Sequence, residues 1–133
     1  TNYDDLYADI LLWLRNGWID YVAPQLYLEI GHDKIPFETM VDWWSKHSYG
    51  RHVYIGHGIY RVNERNAAWK KPAELPNQIK LVREYPEIQG SIFYNSSAFE
   101  RNPNGWNDSL RNNYYKEPAK IPVMEWLPER EKK

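Results

Sequence analysis

The 133-residue sequence predicts an α/β fold with parallel strands, and three observations predict it. Apolar spacing alternates between helical and strand periods, giving the order α-β-α-β-α-β-α. The strands, anchored at Val22, Val53 and Ser91, follow at intervals of 31 and 38 residues, the size of a βα unit. The loops after the second and third strands are much longer than the αβ turns, and in barrels such loops build the active site. A piece of a barrel and a small open α/β sheet both fit. A whole barrel takes eight strands and about 250 residues, so this chain would hold roughly half of one.

The first helix is read from Leu6, Ile10, Trp13 and Leu14 at helical spacing. Asn2 is placed to cap it, with Asp5 three residues on, and Gly17 to stop it. The first strand spans Ile19–Leu28, with Pro24 at a bulge or near the strand end. Pro36 opens a second helix whose apolar stripe is Phe37, Met40, Val41 and Trp44. The second strand is His52–Arg61, followed by a polar and basic loop, Val62–Ala73. The third helix runs Glu74–Tyr85, with Leu75, Ile79 and Val82 on one face and Pro86 as its block. The third strand is Ile88–Tyr94, and after the loop Asn95–Asn104 a last helix covers Trp106–Tyr115. Residues 1–117 read as the folded unit. Residues 118–133 read as a proline-rich, charged tail that wraps the surface or frays, or that covers an open sheet face through Val123, Trp126 and Leu127.

Composition excludes several functions. A net charge of −1 supplies no field to steer nucleic acid, so no nucleic-acid partner is expected. Cysteine is absent, which removes disulfides and thiolate metal sites. The four histidines show no metal-ligand spacing, so no metal and no cofactor is expected. No apolar run reaches about 18 residues, and the opening Thr1–Asp5 does not read as a signal peptide. Seven Trp, eleven Tyr and three Phe make 16% of the chain, a supply of rings that suits a core or a sugar-stacking surface.

Candidate site residues cluster at the C-terminal strand ends. Gln25, Tyr27 and Glu29 share one face by period two. Active-site lining is one reading of Gln25 and Tyr27, a structural hydrogen bond the other. His57 is bracketed by Gly56 and Gly58, which permit close backbone approach, and its odd spacing from Tyr60 puts the two on opposite faces. Tyr94, Asn95 and Ser96 form a polar strand terminus, suited to sugar hydroxyls or to turn chemistry. Trp69, Trp106 and Trp126 are stacking platforms or packing residues. Glycoside hydrolysis takes two carboxyl groups, about 5–5.5 Å apart for retention or about 6.5–9.5 Å for inversion. Only Glu29 stands at a strand end as a catalytic candidate, with Glu64 and Glu100 deeper in loops.

Four segments together resemble the glycosyl-hydrolase-like family 10. They are YDDLYADILLWLRNGWIDYVAPQLY at Tyr3–Tyr27, VDWW at Val41–Trp44, YIGHGIYRV at Tyr54–Val62, and ELPNQIKLVREYPEIQGSIFYNSSAF at Glu74–Phe99. The resemblance implies the C-terminal part of a (β/α)8 TIM barrel. It also implies a parent glycosidase of the bacterial cell envelope acting on a polysaccharide such as peptidoglycan glycan strands. The preceding half of the barrel would be its partner and would carry the catalytic carboxylates. The resemblance assigns Gln25, Tyr27, Tyr60 and Tyr94–Ser96 to the glycan. Leu28 departs from a Trp that many relatives carry, and Glu29 matches only some of them. The expected function is thus a glycoside hydrolase fragment lining part of a glycan cleft and inactive alone. The alternative is a non-catalytic carbohydrate-binding or interaction module. The open sheet edges also predict self-association.

Overall fold

The computed structural model describes residues 2–128. Two short helices open the chain, α1 over Asn2–Leu6 and α2 over Ile10–Arg15, in place of one continuous helix. Tyr7, at φ 53°, breaks the run. Asp9 then caps α2, its Oδ1 accepting from the Leu12 N–H at 3.0 Å, because a short carboxylate side chain satisfies an orphan amide better than another helical turn does. The cap expected from Asn2 concerns a side chain outside the described set. Gly17, at φ 66°, turns the chain after α2 as expected.

Strand β1 is only Tyr21–Val22, extended by a single bridge between Gln25 and Gly56. Pro24 explains the gap: it has no N–H to give, yet its carbonyl still accepts from Gly56 at 2.9 Å. Helix α3, Phe37–Lys46, starts directly after Pro36 and buries Phe37 and Val41. Strand β2 is His52–His57. The expected continuation to Arg61 is a 3-10 turn, Ile59–Asn63, entered at Gly58. Helix α4 covers Glu74–Arg83, and β3 covers Gly90–Phe93. The last helix, α5 at Trp106–Ser109, passes into one π turn over Leu110–Tyr114.

All three strands are parallel in the order β1-β2-β3, with Val22 opposite Val53 and His57 opposite Phe93. Odd-numbered residues of β2 (Val53, Ile55, His57) point toward the helices and are fully buried. They meet Leu14, Phe37, Val41 and Val82 in the main core. A second core, around Ile59, Trp69, Leu75 and Trp106, supports the loops beyond the strand ends. The other sheet face carries Tyr21, Ile92 and Tyr94, which are 55%, 45% and 51% exposed.

Among the described residues, the tail covers only the start of that face. Trp126 donates from Nε1 to Asp20 at 2.9 Å and lies under the Arg51 guanidinium, 4.3 Å from the ring centre. His52 donates from Nε2 to the Val123 carbonyl at 3.0 Å, which leaves its Nδ1 to accept from the Tyr54 hydroxyl. Val123 and Leu127 do not serve as expected: their side chains stay exposed.

Candidate functional site

Beyond the C-terminal ends of the strands, three tyrosines from three elements meet. Tyr27 follows the β1 bridge, Tyr60 lies in the 3-10 turn after β2, and Tyr94 follows β3. Tyr27 and Tyr94 stack with centroids 5.7 Å apart and planes at 24°. Tyr60 meets Tyr27 edge-on at 5.7 Å and Tyr94 at 5.9 Å. Backbone bonds hold the group, from Tyr94 N–H to His57 O at 3.0 Å and from Tyr60 N–H to Tyr94 O at 3.2 Å. The glycines flanking His57 make room for it. A Cβ at Gly58 would lie 2.7 Å from the Tyr27 Cβ, and one at Gly56 would lie 3.3 Å from the Tyr27 ring.

Burial, then the neighbouring Tyr94 and Tyr60, push the Tyr27 phenol above its ordinary value, so it stays protonated. None of the three hydroxyls has a hydrogen-bond partner among the described residues. A half-exposed cluster of rings with free phenols can stack on the C–H face of a sugar and donate to its oxygens.

Glu29 lies two residues past Tyr27. Burial pushes its carboxyl up, but hydrogen bonds from its own backbone N–H and from Asn66, with His32 and the Trp69 indole, outweigh this and hold it below the usual carboxylate range. Trp69 is fully buried and its Nε1 closes no hydrogen bond of ordinary geometry among the described residues, so it acts on Glu29 as a nearby dipole. A carboxyl held ionised can orient or stabilise positive charge, but it is a poor general acid at neutral pH. Glu64 is engaged by Arg61 at 2.8 Å, and Glu100 is exposed on its loop. Among the described residues no group of His, Asp and Glu is arranged to hold a metal ion.

Other expected site residues lie elsewhere. His57 does not reach the cleft: it is 0% exposed, on the helix side of β2, between Phe37 and Phe93. Its Nδ1 is 2.8 Å from Gln78 Oε1 and its Nε2 2.8 Å from Ser91 Oγ. Gln78 in turn donates to Leu28 O at 3.2 Å and to Glu74 Oε1 at 2.9 Å, and Glu74 Oε1 also accepts from Ile30 N–H at 2.9 Å. Gln78 Oε1 can only accept, so His57 is the Nδ1–H tautomer, and burial drives its pKa down to about 4. Gln25 is exposed and lines a groove of about 560 Å³ along the outer edge of β1 with Met40 and Trp44. Asn95 caps the turn Ser96–Phe99, its Oδ1 accepting from Ser97 Oγ and Ala98 N–H, and Ser96 is exposed. Trp69 and Trp106 are core residues, not platforms, and Trp126 lies at the opposite end of the sheet.

Sequence reasoning passed over Glu74, Gln78 and Asn66. For Gln78 a signal existed: it sits beside Ile79 on the face that carries Leu75 and Val82, where a buried amide must find partners.

Residues 1–72 match the sequence profile of a family described as Glycosyl hydrolase-like 10. The chain is 40% identical over 129 residues to the Glycosyl hydrolase YngK of Bacillus subtilis (strain 168), covering 95% of this chain and 25% of that protein. It is 33% identical over 101 residues to the Glycosyl hydrolase DigH of Escherichia coli (strain K12), covering 69% of this chain and 23% of that protein. The chain spans about a quarter of the length of the curated relatives it matches.

Proposed function

Since this chain belongs to the glycosyl hydrolase-like 10 family, we propose that it is the C-terminal part of a (β/α)8 barrel glycosidase and forms one wall of its glycan cleft. The tyrosine cluster carries this reading. Tyr27, Tyr60 and Tyr94 stack on a sugar ring, and Glu29, Asn95 and Ser96 offer polar contacts beside it. Gln25, on the outer edge of β1, contacts the rest of the barrel or a glycan that runs past it. The preceding part of the barrel pairs with β1, covers the exposed sheet face and supplies the acid and base or nucleophile. The substrate of the complete protein is a bacterial cell-envelope polysaccharide such as peptidoglycan glycan strands, which sets the cell envelope as its place of work. Residues 1–117 form the barrel segment and 118–133 the tail.

A second reading is favoured by one observation: no carboxyl partner for Glu29 stands at the strand ends among the described residues, so the isolated chain binds glycan without hydrolysing it. NMR titration with peptide-free peptidoglycan glycan strands tests both readings. Shifts centred on Tyr27, Tyr60 and Tyr94, weakened by Tyr60→Ala, with no released reducing ends, are expected. Shifts confined to the helix faces would reject the cleft, and turnover abolished by Glu29→Gln would make Glu29 catalytic.

A further inference from the structure

The buried polar chain beneath the tyrosines has no part in that reading, yet its ends are specific. It begins on β3 at Ser91, crosses β2 through His57 and α4 through Gln78 and Glu74, and stops at two backbone groups, Leu28 O and Ile30 N–H. These groups flank Glu29. The Glu29 carbonyl is held as well, accepting from His32 N–H at 3.3 Å and Phe37 N–H at 3.2 Å. The backbone on both sides of Glu29 is therefore fixed, which sets the direction in which its side chain leaves the loop.

Stability alone is a weak reason for such a chain. Well-packed apolar residues in place of a buried polar network are often neutral or stabilising. What apolar residues cannot do is hold an isolated carbonyl and amide in a loop at one orientation. The chain also ties the loop after β1 to β2 and β3, the elements that lead to the other two tyrosines.

We propose that Glu74, Gln78 and His57 are positioning residues of the cleft, a buried relay that clamps the backbone on both sides of Glu29 and aims its carboxylate toward bound glycan. The glycan rests on the function proposed above. The clamp itself does not, and the two are separable by experiment.

Amide exchange in the 133-residue chain should find Ile30 protected about a hundredfold or more relative to an unstructured amide. The 15N spectrum at pH 7 should show neutral His57 protonated at Nδ1. A carbon-detected titration should place the Glu29 midpoint below that of an ordinary glutamate. Glu74→Leu should release Ile30 and move the Glu29 midpoint upward, while Glu74→Gln, which keeps the side-chain oxygen, should restore both. The clamp is rejected by an unprotected Ile30 in the wild-type chain, by the other His57 tautomer, or by a folded Glu74→Leu with Glu29 unmoved. The Ile30 and His57 readouts in the wild-type chain decide the matter even where Glu74→Leu does not fold. Addition of peptide-free glycan strands is the separate arm. Clamp signatures without any glycan-induced shift would retire the glycan and leave the clamp on Glu29 standing.

Discussion

Burial of His57 couples stability to pH. Its ordinary value is near 6.5, and enclosure drives it to about 4 in the folded chain. Between these values the unfolded chain binds a proton that the folded chain does not, so stability rises with pH across the window. The contribution is complete above about pH 6.5, is lost as pH falls toward 4, and is on the order of 3 kcal/mol. Urea midpoints measured from pH 7 to 4 should fall accordingly, and a folded His57→Gln variant should flatten that slope. A second expectation concerns Gly58. Gly58→Ala puts a methyl 2.7 Å from the Tyr27 Cβ, deep enough to displace the ring and not only crowd it. It should cost about 1–3 kcal/mol and remove the Tyr27–Tyr94 ring contact, read by thermal unfolding and aromatic NOEs. Both residues were legible in part. Glycines flanking His57 announced a close backbone approach, and odd spacing put His57 and Tyr60 on opposite faces. The burial of His57 was hidden, because its partner Gln78 lies 21 residues on and on another element.

At the scale of elements, alternation and kind were readable and ends were not. The spacing of Phe37, Met40, Val41 and Trp44 fixed one face of α3 against the sheet. Strand lengths were overestimated wherever local chemistry competed with the ladder. Pro24 cuts β1 to a pair and a bridge, and Gly58 releases β2 into a 3-10 turn that carries Tyr60 toward Tyr94. The opening helix was misjudged for the same reason, since Asp9 caps a new start in mid-pattern. Asp9→Ala should therefore fray α2 and cost about 1 kcal/mol, checked by urea denaturation and by amide exchange at Leu12.

The whole molecule is a sheet covered on one side. Its helix face is filled, while among the described residues the face bearing Tyr21, Ile92 and Tyr94 is open apart from the tail at the strand starts. Edge strands β1 and β3 add unpaired backbone to that apolar surface. The isolated chain should therefore associate at micromolar concentration, giving a sedimentation coefficient that rises with loading. A coefficient that stays at the monomer value would show that the tail closes the open face sufficiently by itself. A layered α/β arrangement was readable from strand spacing alone. Which face would lie bare was not, because the tail contacts that cover the strand starts join residues far apart in sequence.

The bond from Trp126 to Asp20 joins residues 106 apart, the longest span among the side-chain contacts described above. Its consequence lies in time. Each βα unit draws its contacts from nearby sequence and can form as the chain emerges from the ribosome. The start of the sheet cannot be fastened until Trp126 has cleared the exit tunnel. Asp20 waits through 106 further residues of synthesis and His52 through 71 before their partners exist, and translation itself sets how long that end stays open.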